Sequence, residues 1–332
     1  MKKESVLISK AAEISVAELF QIQAQKTPRA LAIINSNGDK YTYKNFLLRV
    51  LKLSTVLIKR GVKPKDRIAI FSENRFEYLE LEMACAKIGA IVTAINWRLS
   101  DKEANYCINL VKPKIIFFSE RFKIKTKLRS IKSLTSIIFG LKYENLIDKV
   151  IPYSGPSLGF GEDILVILFT SGTTGNPKGA KISHRAFVAR TMYWTYEYKV
   201  NQEDTFPAWA PMFHMASTDL AIGSLIIGAS VAFIDGFQPK ALKSLIQKYK
   251  VSWLVLMPGM LEGFIKFLNG KKIKIKGIKA MGAMADLIPK NQIIEITTLL
   301  DTSYLNSFGS TETGMPPASG GVINKNSKNF SL

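Results

Sequence analysis

Residues 169–184 read FTSGTTGNPKGAKISH and follow the apolar run Ile164–Leu168 without a break. The first eleven positions hold three Thr, one Ser and three Gly, and they end on Lys178 and Gly179. Glycine lets a backbone approach a ligand closely and present its N–H groups. The hydroxyls of Thr170, Ser171, Thr173 and Thr174 add donors, Gly172 and Gly175 add freedom, and Lys178 adds a positive charge. Placed directly after a buried strand, this is the inventory of a polyphosphate cradle. The usual P-loop spacing is excluded, because Pro177 stands where it needs Gly and Gly179 where it needs Ser or Thr. A G-x-G-x-x-G dinucleotide fingerprint does not occur either.

Outward from this loop the chain alternates helix and strand signals. Val16, Leu19, Phe20 and Ile22 have roughly helical spacing, and Phe46, Leu47, Val50, Leu51, Leu53 and Leu57 form a second apolar stripe that stops at Gly61. ALAIIN (30–35), DRIAIFS (66–72), AIVTAI (90–95), KIIFFS (114–119), SIIFG (136–140) and DILVILFT (163–170) read as short buried strands. Ser100 and Glu103 have the spacing of a capping box, and Ser183 that of an N-cap for a helix beginning near His184. Further strands are expected at 230–234 and 252–256, with helices near 239–249 and 288–300. The alternation predicts an α/β fold with largely parallel sheets.

Composition narrows the class. The 332 residues are 47% hydrophobic and 22% charged, which suits a globular chain with a sizeable core. Cys85 and Cys107 are too few for a disulfide scaffold, and with only His184 and His214 a histidine-based metal centre has little material. The net charge of +20 favours acidic partners, but it is spread through a chain rich in Lys, Ile and Asn. Lys112–Lys132 holds eight Lys/Arg and KKIKIKGIK (271–279) five Lys; neither carries a nucleic-acid reader motif, so both read as solvated surface with Ile turned inward. The longest uncharged apolar stretch, Leu220–Ile234, has 15 residues, short of the ~20 a membrane span needs. No targeting segment stands out, and a cytoplasmic location is the expectation.

FTSGTTGNPKG resembles the phosphate-loop signature of the adenylate-forming superfamily, which includes acyl-CoA synthetases. The resemblance extends to SENRFEYLELEMACAKIGAIVTAINWRLSDKE (72–103), to PMFH (211–214) and to NSFGSTETG (306–314), in the same order along residues 15 to 315. It implies the large N-terminal domain of a fatty- or aryl-acid CoA ligase, with two largely parallel sheets flanked by helices. It also implies a two-step reaction, in which a carboxylate attacks the α-phosphate of ATP and the thiol of coenzyme A then takes the acyl group.

Carried onto this sequence, the resemblance implies that Thr170–Lys178, with Ser171, Gly172, Thr173, Thr174 and Gly175, wraps the β- and γ-phosphates. Phe308 would stack on adenine, Asn306 would bond its edge, and Ser307 and Gly309 would complete that wall. Gly282, Ala283 and Met284 would form the opposite side. Thr311 would meet the α-phosphate and Glu312 would help to hold Mg²⁺. His214 would lie beside the acyl carboxylate, where amino-acid-activating relatives usually carry Asp. Met257, Met260 and Met284 suit an adaptable apolar pocket, although a plain core explains them equally. Taken singly, Phe308 reads as core, Asn306 as a turn residue and Glu312 as a solvated carboxylate; the nine-residue string is what gives them roles. His184 reads as structural.

The resemblance also implies a β-barrel portion and a small C-terminal domain bearing a catalytic lysine. Their strings do not follow Gly314, and TGD occurs nowhere in the sequence. The expected organisation is therefore an incomplete AMP-binding domain over residues 1–317 and a frayed tail over 318–332. The expected partners are a small carboxylic acid, ATP and coenzyme A, with peripheral membrane contact open and nucleic acid not expected. Two other readings share these residues: a non-catalytic nucleotide- or acyl-binding remnant, and an acyl-AMP ligase that loads a carrier protein.

Overall fold

Short β-branched runs joined by amphipathic helices pair in parallel when each helix crosses back over the sheet. The computed structural model describes residues 13–128, 131–132, 134–170, 175–271, 273–315, 320–325, 327 and 330. In it the strands form two six-stranded sheets and a hairpin-like pair.

The first sheet has the order β6-β5-β3-β4-β7-β8, from β3 (Arg67–Phe71), β4 (Ile91–Ala94), β5 (Ile115–Phe118), β6 (Thr135–Ile138), β7 (Ile164–Thr170) and β8 (Lys178–Ser183). All its pairs are parallel except β7 with β8, which run antiparallel from Ile164↔Ser183 to Thr170↔Lys178. The second sheet has the order β12-β11-β9-β10-β1-β2. It is built from β1 (Leu31–Ile34), β2 (Lys40–Thr42), β9 (Asp204–Ala208), β10 (Ser230–Phe233), β11 (Lys250–Leu254) and β12 (Ile278–Met281), with β2 as its antiparallel edge. β13 (Tyr304–Ser307) pairs antiparallel with β14 (Gly320–Ile323). The expected two largely parallel sheets are thus present, each closed at one edge by an antiparallel strand.

The helices are α1 (Val16–Lys26), α2 (Tyr43–Lys59), α3 (Phe76–Ile88), α4 (Asp101–Val111), α5 (Leu141–Asp148), α6 (His184–Tyr198), α7 (Met215–Ile227), α8 (Pro239–Lys248), α9 (Leu261–Leu268) and α10 (Lys290–Leu299). The capping box forms as its spacing predicts: the Glu103 amide donates to Ser100 Oγ while Glu103 Oε2 accepts from the Ser100 amide. Ser183 caps α6 through the Ala186 amide. The apolar stretch 220–234 is divided between α7 and β10 at Gly228, and no described helix is long and apolar enough to cross a membrane.

Two expectations are corrected. Gly320–Ile323, inside the stretch read as a frayed tail, is a strand, because its backbone finds partners on β13. The KKIKIKGIK segment leads into β12, and Ile273, Ile275 and Ile278 turn toward the core as expected. The strand expected at 252–256 begins two residues earlier, at Lys250, in register with β9 and β12.

Candidate functional site

In parallel sheets ligands settle where strands end and chains turn. Four such ends carry the residues singled out by sequence. β7 ends on Thr170, whose Oγ1 donates to the Lys178 carbonyl at 3.4 Å across the hairpin. Lys178 is exposed at the start of β8, and Gly175 takes a left-handed conformation at φ 115°. Ser171, Gly172, Thr173 and Thr174 lie outside the described residues.

β12 ends at Met281, and Gly282 follows at φ 95°. A Cβ there would stand 2.2 Å from the Tyr304 ring, so only glycine lets β13 pack this closely. The Tyr304 hydroxyl donates to the Leu256 and Ala283 carbonyls at 3.2 Å, and Trp253 Nε1 donates to the Gly282 carbonyl at 2.9 Å. Asn306 Oδ1 accepts the Ala285 amide at 2.9 Å, and its side-chain NH₂ donates to none of the described residues. Beyond β13, Phe308 is 71% exposed. That overturns the core reading of this ring and fits an aromatic surface awaiting a partner.

β9 ends at Ala208, and the segment after it is fastened from a distance. Asn74 Nδ2 donates to the Ala208 and Ala210 carbonyls, and Asn74 Oδ1 accepts the Met212 amide. This fixes PMFH so that His214 caps α7, its Nδ1 accepting the Ala216 amide at 3.2 Å. With Nδ1 accepting, a neutral ring carries its proton on Nε2. Surrounding protein desolvates the ring and holds its pKa below the ordinary histidine value, while one edge stays open to solvent.

The segments after β9, β12 and β13 meet at a cavity of about 140 Å³, which Thr170, Gly175 and Lys178 at the end of β7 do not line. His214, Met215, Trp253, Val255 and Met257 line it together with Ala283, Met284, Ser307, Phe308 and Gly309. Arg190, Trp194 and Asp219 close it from α6 and α7. Of the three methionines proposed for an apolar pocket, Met257 and Met284 line it, but Met260 does not. Met260 lines a separate cavity of about 220 Å³ beside Trp97, Arg98 and Arg121, because the turn at 257–260 carries it to the other side.

Gly282, Asn306, Thr311 and Glu312 flank the cavity without lining it. Thr311 and Glu312 sit in a turn closed by the Ser310–Gly314 bridge, with the Glu312 carboxylate exposed. Among the described residues no group of three or more His, Cys, Asp or Glu could hold a metal ion. Sequence reasoning missed Arg190 and Asp219. They form an ion pair at 2.8 Å, and burial raises the Asp219 pKa to about 6 against the opposing pull of Arg190. The one signal in the sequence was a carboxylate at the border of a long apolar stretch.

Comparison with known proteins agrees with this geometry. The family described as AMP-binding enzyme matches residues 20–328. The chain is 27% identical over 258 residues to 2-succinylbenzoate–CoA ligase of Arabidopsis thaliana, covering 71% of this chain and 45% of that protein. It is 26% identical over 309 residues to medium-chain-fatty-acid–CoA ligase of Ectopseudomonas oleovorans, covering 86% and 56%. The chain therefore spans about half the length of the curated relatives it matches. Among solved structures, the N-terminal domain of FACL13 from Mycobacterium tuberculosis superposes with a TM-score of 0.82 at 21% identity, covering 90% of this chain and 76% of that one; this likeness shows the fold.

Proposed function

The chain belongs to the AMP-binding enzyme family, and we propose from this premise that it serves an ATP-dependent acid–thiol ligase acting on an apolar carboxylic acid in the cytoplasm. The observation that carries the reading is the cavity itself, apolar in its walls and lined by both His214 and the exposed Phe308. Its volume of about 140 Å³ is close to the ~150 Å³ that accommodates a benzene ring.

In the first step a carboxylate oxygen forms a bond to the α-phosphorus of ATP, and the bond from that phosphorus to the pyrophosphate oxygen breaks. In the second the thiolate sulfur of coenzyme A bonds to the acyl carbon, and AMP departs with the electron pair. Attack of one anion on another requires neutralisation and close placement. His214 presents Nε2–H to the acid carboxylate as a neutral donor, which orients the nucleophile without quenching its charge. Phe308 stacks on the base, with Ala283 and Met284 on its other face, and the side-chain NH₂ of Asn306 bonds the base edge. Lys178 and the hydroxyls of Thr170–Thr174 surround the polyphosphate, and Thr311 meets the α-phosphate.

The donor set suits Mg²⁺ only in company with the nucleotide. Glu312 offers one exposed carboxylate, and a hard cation that takes one or two protein carboxylates completes its shell with phosphate oxygens and water. When bound, the ion supplies charge neutralisation at those oxygens.

Trp194 and Trp253 line the cavity, so tryptophan fluorescence reports its occupancy. Titration with MgATP should change that emission, and the native protein should show acid-dependent exchange of pyrophosphate into ATP with straight-chain or single-ring aryl acids. Absence of both MgATP binding and exchange with every acid of that panel would overturn the proposal.

A further inference from the structure

Arg190 on α6 and Asp219 on α7 are only 10% and 7% exposed. Burying such a pair strips both ions of hydration, and apolar residues of similar volume commonly hold two elements together as well or better. Contact between α6 and α7 therefore does not account for it. The guanidinium does something that an apolar side chain cannot. Its Nη1 donates to Asp219 Oδ2 at 2.8 Å, while Nη2 donates to the carbonyl oxygens of Thr311 at 3.1 Å and Glu312 at 3.0 Å.

The turn it reaches has little else to hold it. Ser310 and Gly314 exchange backbone hydrogen bonds, and the Ser310 and Thr313 side chains bond each other. Among the described residues, the hydrogen bonds that tie this turn to the rest of the chain are those of Arg190. The fit is close: Gly314 has φ 68°, and a Cβ on it would lie 2.6 Å from Arg190 Nε.

We infer that Arg190, seated on Asp219, is a positioning residue that sets the Thr311–Glu312 turn against the wall of the acid cavity, an inference that rests on the function proposed above. One planar fork with fixed N–H directions serves acceptors on both sides, which an ammonium point charge does not. The same side chain lines the cavity and is anchored on α7, the helix that His214 caps. It thereby keeps the acid side and the nucleotide side in register. Asp219 holds the fork in place, and its second oxygen, Oδ1, has no protein partner among the described residues.

The test compares the full chain with R190M/D219L, which removes both charges and keeps most of the volume. Two readouts are taken: the Kd for MgATP and amide hydrogen exchange across residues 310–314. The expected result is a Tm equal to or above that of the parent, a Kd raised about tenfold or more, and exchange in the turn about tenfold faster. Unchanged exchange across 310–314 in the folded double variant overturns the inference. If that variant does not fold, R190K keeps a charge beside Asp219 without the fork, and the same two outcomes apply to it. Should the parent protein bind no MgATP, the proposed function fails, and hydrogen exchange alone still decides for or against the strut.

Discussion

His184 and His214 sit at the entrances of neighbouring helices and make the same first bond. His184 opens α6 and accepts the Val16 amide on Nδ1 at 3.2 Å; His214 caps α7 and accepts the Ala216 amide on Nδ1 at 3.2 Å. Each ring, when neutral, therefore carries its proton on Nε2. The difference lies in what Nε2 meets. That of His184 is fully buried without a partner among the described residues, and a Cβ on Gly159 would stand 2.7 Å from it. The ring of His214 borders the apolar cavity. One ring nitrogen is used alike in both places, so a histidine's role is decided by the surroundings of the other.

The comparison can be broken most sharply at His214. H214A should lower acid-dependent pyrophosphate exchange about 100-fold, while costing only about 1 kcal/mol of stability for the lost cap. H214N restores a good capping side chain, so its Tm should return to that of the parent while exchange stays low. Recovery of exchange in H214N would mean that the cap, not the imidazole, is what the site needs.

His184 should behave in the opposite way. H184A orphans the Val16 amide at the start of α1 and opens a hole in the core, at a cost of about 3 kcal/mol. The cost carries a pH signature. Burial lowers the folded-state pKa to about 4, against 6.5 for an ordinary histidine. Above that ordinary value neither state is protonated and the contribution is complete. As pH falls from 6.5 toward 4 the unfolded chain takes up a proton that the native ring refuses, so about 3 kcal/mol of stability is lost. Chemical denaturation of the parent and H184A at a series of pH values should show this slope in the parent alone. Equal slopes would mean that His184 is not the group responsible.

The same contrast between near and far partners separates what could be read in the sequence from what could not. The apolar runs at 68–71, 115–118 and 165–168 were legible as strands, because burial on both faces demands β-branched and aromatic residues locally. α3 was legible only as a helix. Its Glu77, Glu80, Glu82 and Lys87 look like a solvent face, yet all 13 of its residues are buried. Glu77 pairs with nearby Arg75, but the partners of the others are remote: Arg49 and Tyr143 for Glu80, Thr218 for Glu82, Gln21 and Ser157 for Lys87. β9 was missed because Pro207 stands in its middle, a residue that ordinarily argues against an internal strand. Of the expected site residues, Ala283, Met284, Ser307, Phe308 and Gly309 line the cavity, and each lies in a contiguous string that could be read locally. Arg190 was not, since its acceptors are 29, 121 and 122 positions away.

The smallest effect isolates capping from burial. α6 has Ser183 as its cap, so His184 is free to bond outward to α1; α7 has no such residue, and His214 must cap and face the cavity at once. S183A removes the acceptor of the Ala186 amide, at 3.2 Å, and should cost about 1 kcal/mol. That loss should be the same at every pH, because the Val16–His184 bond and the buried Nε2 are untouched. Pyrophosphate exchange should not change, because neither Ser183 nor His184 lines the cavity. If S183A instead flattened the pH slope, the cap would be what holds the imidazole in its buried place. The two helix entrances would then differ in which residue positions the ring, and not merely in what surrounds it.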